Sequence, residues 1–260
     1  MRTLTQADPG KKTDAAKKNR LYLMLAGIVL TNALIAEIIG VKLFSAEAIF
    51  GLPPAQIPVW DGFAISFNYT AGVLIWPVVF ITSDIINEYF GPPGVKRISY
   101  LTVAFIAYSF LAIYLVTLLP PAQFWLDVNR ENGLDINFAF SKIFRQGLGI
   151  IIGSLVAFLV GQLLDAYVFQ YLRGLTQNRL LWLRATGSTL VSQLVDSFLV
   201  LYIAFHVFGN WDVATVLAVG LNNYIYKFLV AILLTPVLYV AHAAIDKYLA
   251  APAQKAEIAE

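Results

Sequence analysis

Six runs of apolar residues, each long enough to cross a lipid bilayer as a helix, constrain this chain more than any other feature. A hydrocarbon core about 30 Å thick needs roughly 20 helical residues. Residues 21–41, 69–90, 98–119, 148–171, 185–208 and 216–241 all meet that length. Charged residues make up only 13% of the chain and hydrophobic ones 59%, whereas a soluble domain carries about a quarter charged. That deficit excludes an ordinary soluble domain. The first run is too long for the apolar core of a signal peptide and lacks a plain small-residue cleavage site, so it is expected to stay as an anchor. The expected fold is an all-α integral membrane protein, with six transmembrane helices in one bundle over residues 21–248. Residues 1–20 and 249–260 read as polar, disordered tails.

Basic residues set the orientation. With the N-terminus inside, thirteen of the 18 lysines and arginines fall on the cytosolic side, in the N-terminal tail, at Lys96 and Arg97, at Arg173, Arg179 and Arg184, and at Lys247 and Lys255. Four (Lys42, Arg130, Lys142 and Arg145) lie outside. Both termini are therefore expected to be cytosolic. The basic residues form no continuous face, so no nucleic-acid partner is expected. The lipid bilayer is the expected partner surface. The chain has no cysteine, which removes disulfides and thiolate chemistry. Of the two longer outer connections, residues 44–68 hold Pro53, Pro54 and Pro58 and read as a turn-rich cap. In residues 122–146 the second half has the pattern of a short amphipathic helix at the interface.

Polar side chains inside the runs point to function. Asp84, Asn87 and Glu88 occupy positions i, i+3 and i+4, so one helix face carries all three. Gln162 and Asp165, and Gln193 and Asp196, repeat the device three residues apart in the fourth and fifth runs. In hydrocarbon such groups are costly and face partners, substrate or water. Lys227, in the sixth run, needs a carboxylate at its own depth, and Asp196 is the matching candidate. Gluing helices together is the alternative role for these groups. For Asp84 and Glu88 the alternatives are snorkelling, or pairing with Lys96 and Arg97 across the turn Gly91-Pro-Pro-Gly94. Asn32 and Glu37 in the first run, and Asn222 and Asn223 in the sixth, are further candidates to line a site. Gly149, Gly153, Ala157 and Gly161 recur every four residues, a track along which another helix can pack closely. The track ends at Asp165, and it would serve equally within one chain or in a homodimer. Carboxylates beside carboxamides, with aromatic walls available from Phe80, Tyr89, Tyr167, Phe169, Phe198, Tyr224 and Tyr226, suit a flat heterocycle that presents adjacent N–H donors. Such a site needs no cofactor or metal.

At these motifs the chain resembles a known family. Ser83-Asp84-Ile-Ile-Asn87-Glu88-Tyr89-Phe90-Gly91 is similar to its signature threonine/serine-aspartate-x-x-x-glutamate-x-tyrosine-glycine, with Phe90 standing where tyrosine is usual. Gln162-Leu-Leu-Asp165, Arg184-Ala-Thr-Gly-Ser188-Thr189 and Ser192-Gln193-Leu-Val-Asp196-Ser197 look like its other hallmark stretches. The family is the queuosine precursor transporters, also called vitamin uptake transporters. The resemblance implies six helices in the bacterial inner membrane and import of 7-deazaguanines, chiefly 7-cyano-7-deazaguanine and its aminomethyl relative, for salvage of a tRNA wobble base. Carried over residue by residue, it points to Asp84, Glu88, Gln162, Asp165, Arg184, Gln193 and Asp196. To these the reading of the runs adds Asn32, Asn223 and Lys227. Alternating access around a mid-membrane site is the expected mechanism. The competing reading is the substrate-capturing subunit of an energy-coupling-factor vitamin importer, although the first run lacks a clear Ala-x-x-x-Ala docking stripe. An intramembrane enzyme is disfavoured: His206 and His242 fall at opposite membrane ends, and no Gly-x-Ser-x-Gly, HExxH or Walker motif occurs.

Overall fold

The computed structural model describes residues 9–60, 63–130, 133–177 and 179–250. Five helical stretches among them are long and apolar enough to cross a membrane. The first helix, α1 (Pro9–Ile39), starts well ahead of the apolar run, so residues 9–20 extend it. The expected tail positions 1–8 and 251–260 lie outside the described residues. A connection of short elements leads to α3 (Trp76–Val116), which holds two of the six apolar runs within 41 residues. Its continuity breaks at Gly91, whose φ of 67° and ψ of −173° are left-handed and non-helical. Glycine enters that region without a Cβ penalty, and Pro92 and Pro93 remove two backbone donors directly after it. A straight helix would separate residues 86 and 94 by about 12 Å. Instead a Cβ placed on Gly94 would lie 3.3 Å from Ile86 Cγ2, so the chain turns sharply here. Tyr22 of α1 clasps the turn, donating its hydroxyl to the Gly94 carbonyl at 2.9 Å and meeting the Phe90 ring edge-on at 5.0 Å.

The expected run at residues 69–90 becomes α-helical only at Trp76, after a 3-10 turn at Ala71–Leu74. Before that, the connection forms β1 (Leu43–Ser45), a single helical turn α2 (Ala46–Ile49), β2 (Ile57–Trp60), β3 (Phe63–Ile65) and β4 (Asn68–Thr70). β1 pairs antiparallel with β4, Phe44 opposite Tyr69, and β2 pairs with β3. The expectation of a purely α-helical chain is corrected to this extent: two small two-stranded sheets cap the bundle. Prolines 53, 54 and 58 prevent a helix, and paired strands satisfy the backbone groups that a helix would otherwise have satisfied. Glu47 anchors the cap, accepting from the Phe67 amide at 2.8 Å, the Ser45 hydroxyl at 2.7 Å and the Ala55 amide at 3.2 Å. Those bonds, the Phe67 amide first, stabilise its ionised form and hold its pKa down at about 2. A carboxylate with a depressed pKa contributes stability at neutral pH that is lost only as the pH falls toward that value.

On the same side lie α4 (Gln123–Arg130) and α5 (Ile136–Phe144). They are joined by edge-on contact of Trp125 with Phe140, and α5 occupies the segment expected to be amphipathic. Then follow α6 (Leu148–Leu175), α7 (Leu181–Leu201) continued by a π-helical turn at Tyr202–Val207, and α8 (Val213–Ala250). The small-residue track of α6 is occupied within the chain itself. A Cβ on Gly149 would fall 2.4 Å from Phe208 Cβ. One on Gly153 would fall 3.0 Å from the Val200 carbonyl oxygen and 3.2 Å from the Ala204 nitrogen. Because the Gly153 neighbours are backbone atoms of α7 and its π turn, they cannot swing aside. Gly153→Leu should therefore lower stability by about 1–3 kcal/mol. Gly174→Leu, where nothing lies within 4 Å, should lose nothing; thermal unfolding of both variants in detergent checks the contrast.

Candidate functional site

The polar side chains of the runs meet between helices in three levels along α3, α6, α7 and α8. At the central level Asp84 of α3 and Asp165 of α6 are both buried and close to one another. Thr189 of α7 sits between them, its hydroxyl 3.4 Å from Asp84 Oδ2 and 3.5 Å from Asp165 Oδ1. Ser192 donates to Asp165 Oδ1 at 3.2 Å. One residue before Asp84, Ser83 donates to Gln162 Oε1 at 2.5 Å, so that carboxamide is engaged by α3. Gln193 is buried on the next turn of α7 after Thr189, and its Oε1 finds no partner. The Asp84 and Asp165 carboxyls lie within side-chain hydrogen-bonding contact, and beyond that contact Asp84 Oδ1, also buried, finds no donor among the described residues.

Toward the cap, Lys227 of α8 forms a close ion pair with Asp196 of α7. The match expected from depth alone is what the helices make. Glu37 of α1 accepts from Ser154 of α6 close by. Toward the turn at Gly91, Glu88 meets Arg184 of α7 at 2.8 Å and Arg173 of α6 at 3.8 Å. Neither Lys96 nor Arg97 is the partner, because the turn at Gly91 carries them past the side of α3 that faces α6 and α7. Arg184, 4% exposed, also lies over the Phe169 ring at 5.7 Å. Next to Glu88, Tyr89 turns to α8. Its hydroxyl donates to Asp246 at 2.6 Å and lies 3.1 Å from His242 Nδ1, while its ring stacks on the imidazole at 5.2 Å.

A narrow slot opens between α3, α7 and α8. It holds about 560 Å³ of empty space, its open side included, yet only about 40 Å³ would admit the centre of a water molecule. Asp84, Thr189, Gln193 and Lys227 line it. Of the sequence-derived candidates, Asp84, Gln193 and Lys227 therefore border the slot. Asp165 stands one hydroxyl behind it, Asp196 behind Lys227, and Gln162 beside Ser83. Glu88 and Arg184 close the level below. Asn32 is not brought in: its amide donates to the Ile28 carbonyl of its own helix at 2.8 Å. Asn223 does not line the slot, and its neighbour Asn222 donates to the Ser66 carbonyl of the cap at 3.4 Å. Asn87 serves packing, bonded to the Ala166 carbonyl and to Gln170. The bridging role of Thr189 had one sequence signal, its place in the polar rows of the fifth run. Trp76, and the bond between Thr186 and Thr235 at 2.9 Å across the slot, had none.

Residues 70–241 match the family described as "Putative vitamin uptake transporter". A Bacillus subtilis (strain 168) protein described as "Probable queuosine precursor transporter" is 30% identical over 198 residues, covering 70% of this chain and 82% of that protein. One of the same description from Haemophilus influenzae is 29% identical, covering 65% and 66%. The "Queuosine precursor transporter" of Escherichia coli (strain K12) is 27% identical, covering 68% and 72%. No solved structure matches the chain.

Removing Arg184 leaves the largely buried Glu88 carboxylate only its longer contact with Arg173, and weakening a buried ion pair in this way costs several kcal/mol. Arg184→Met should thus lower stability by about 3 kcal/mol. Adding Glu88→Gln to it should restore at least half of the loss, as unfolding of the two variants in detergent would show.

Proposed function

This chain belongs to the vitamin uptake transporter family, and from that premise we propose that it imports queuosine precursors across the bacterial inner membrane. The substrates are 7-cyano-7-deazaguanine or its aminomethyl relative, destined for tRNA queuosine salvage. It is a multi-pass membrane transporter, not an enzyme. The turn at Gly91 divides α3 into two crossings, which with the other four helices makes six over residues 21–248. The distribution of lysine and arginine leaves both termini, and the tails 1–20 and 249–260, in the cytosol.

The observation that carries this reading is the pair of buried acceptors without partners, Asp84 Oδ1 and Gln193 Oε1, at one slot. A buried acceptor left unbonded costs roughly 1–3 kcal/mol, and a ligand with neighbouring N–H donors relieves that penalty at both atoms. The N–H edge of a guanine-like base offers such donors. Asp165 supports Asp84 through Thr189, Gln162 steadies the same turn through Ser83, and Asp196 holds Lys227 in place at the slot. Glu88 with Arg184, and Tyr89 with Asp246 and His242, close the inner end. Alternating access requires these ties to part when the substrate leaves inward.

Uptake of radiolabelled 7-cyano-7-deazaguanine into proteoliposomes containing this chain alone tests the proposal. The wild type should transport, and Asp84→Asn and Gln193→Ala should each reduce uptake by about tenfold or more. Undiminished uptake by both variants would remove the slot from the mechanism. Uptake that appears only when ATPase subunits are added would instead make this the binding subunit of an energy-coupling-factor importer.

A further inference from the structure

A ligand whose edge docks on Asp84 must rest its face on something, and α3 supplies that surface. Outward from Asp84, Phe80, Pro77, Trp76 and Val73 follow at helical spacing, and all of them line the slot. Phe80 stands one turn, about 6 Å, from Asp84 on the same face. Its ring is stacked on the indole of Trp76, with centroids 5.9 Å and planes 14° apart. Trp76 is pinned in turn by Phe158 of α6, at 5.5 Å and 37°, and Phe158 is itself buried. The backbone carrying Trp76 is also stiff, because it opens α3 immediately before Pro77. Across the slot, α8 presents the aliphatic side chains Val230, Ala231 and Leu234.

One wall is therefore an aromatic plate braced from behind, and the other, from α8, carries Tyr226 and Lys227 at one end and mostly aliphatic side chains along the rest. We infer that Phe80 is a specificity-determining residue that stacks on the face of a planar heteroaromatic substrate, and that Trp76 is the positioning residue fixing the Phe80 ring. This rests on the reading above, in which the substrate's N–H edge meets Asp84 and Gln193. Hydrogen bonds at the edge would tolerate a puckered ring bearing the same donors. Stacking does not, because the attraction depends on flat faces in contact. The wall thus adds a demand for flatness that the polar groups cannot make.

The test is a titration of the purified full-length chain in detergent with 7-cyano-7-deazaguanine and, separately, with a pterin. Affinity is read by calorimetry and the environment of the indoles by tryptophan emission. Phe80→Leu, which keeps the bulk and loses the ring, should weaken binding about tenfold or more. Phe80→Tyr should stay within about threefold of the wild type. Trp76→Phe should abolish most of the ligand-induced change in emission, with a smaller loss of affinity than Phe80→Leu. Binding by Phe80→Leu within about threefold of the wild type, or an emission change that survives Trp76→Phe, would overturn the inference. Should Phe80→Leu fail to fold, the emission reading decides alone. If the wild type takes the pterin and refuses the deazaguanine, while Phe80→Leu still loses the pterin, the aromatic wall stands and the proposed substrate falls. A wild type that binds neither ligand ends both.

Discussion

Hydrocarbon offers a polar group no partner, so every charge within this bundle must be answered by another part of the chain. That requirement organises the interior. Lys227 takes Asp196, Glu88 takes Arg184 and Arg173, and Glu37 takes Ser154. Each tie joins two different helices, so neutralising the charges also fixes which helices are neighbours. Side-chain bonds of this kind compensate for the missing hydrophobic drive between helices in lipid. The glycines of α6 let α7 come close enough for the short side chains of Ser192 and Thr189 to reach Asp165.

Against that background, an acceptor left unanswered stands out. Asp84 and Gln193 each keep one buried oxygen without a bond, and both residues line the slot between α3, α7 and α8. The other unpartnered buried atoms among the described residues, on Glu88, Thr102, Arg184, Ser197 and His242, do not border it. The site is thus defined less by which polar residues are present than by which of them the bundle leaves unsatisfied.

Much of this was legible in the sequence, because bilayer thickness and helix rise are fixed quantities. The apolar runs follow from them, and so does the depth match of Asp196 with Lys227. Four-residue spacing of small side chains marked the close contact of α6, though only the fold shows that α7 fills it. What stayed hidden depends on rotation about each helix and on chain reversal. Residues 69–75 are as apolar as a membrane run, yet Tyr69 and Thr70 pair with β1 and Ala71–Leu74 make a 3-10 turn before Trp76. Glu88 could have reached Lys96 or Arg97 by sequence distance, but the turn at Gly91 directs it to α6 and α7. Gln162 and Gln193 look alike in sequence; Ser83 claims one and nothing claims the other. Trp76 carries no polar atom inside a motif, so only its stacking on Phe80 marks it out.

Glu88 and Tyr89 are consecutive, and consecutive residues on a helix point about 100° apart. The first reaches toward α6 and α7, the second toward α8. The half of α3 that ends at Gly91 is thus moored in two directions at a single level, immediately before a glycine pivot. Rotation of that half-helix about its own axis would therefore move both moored side chains at once.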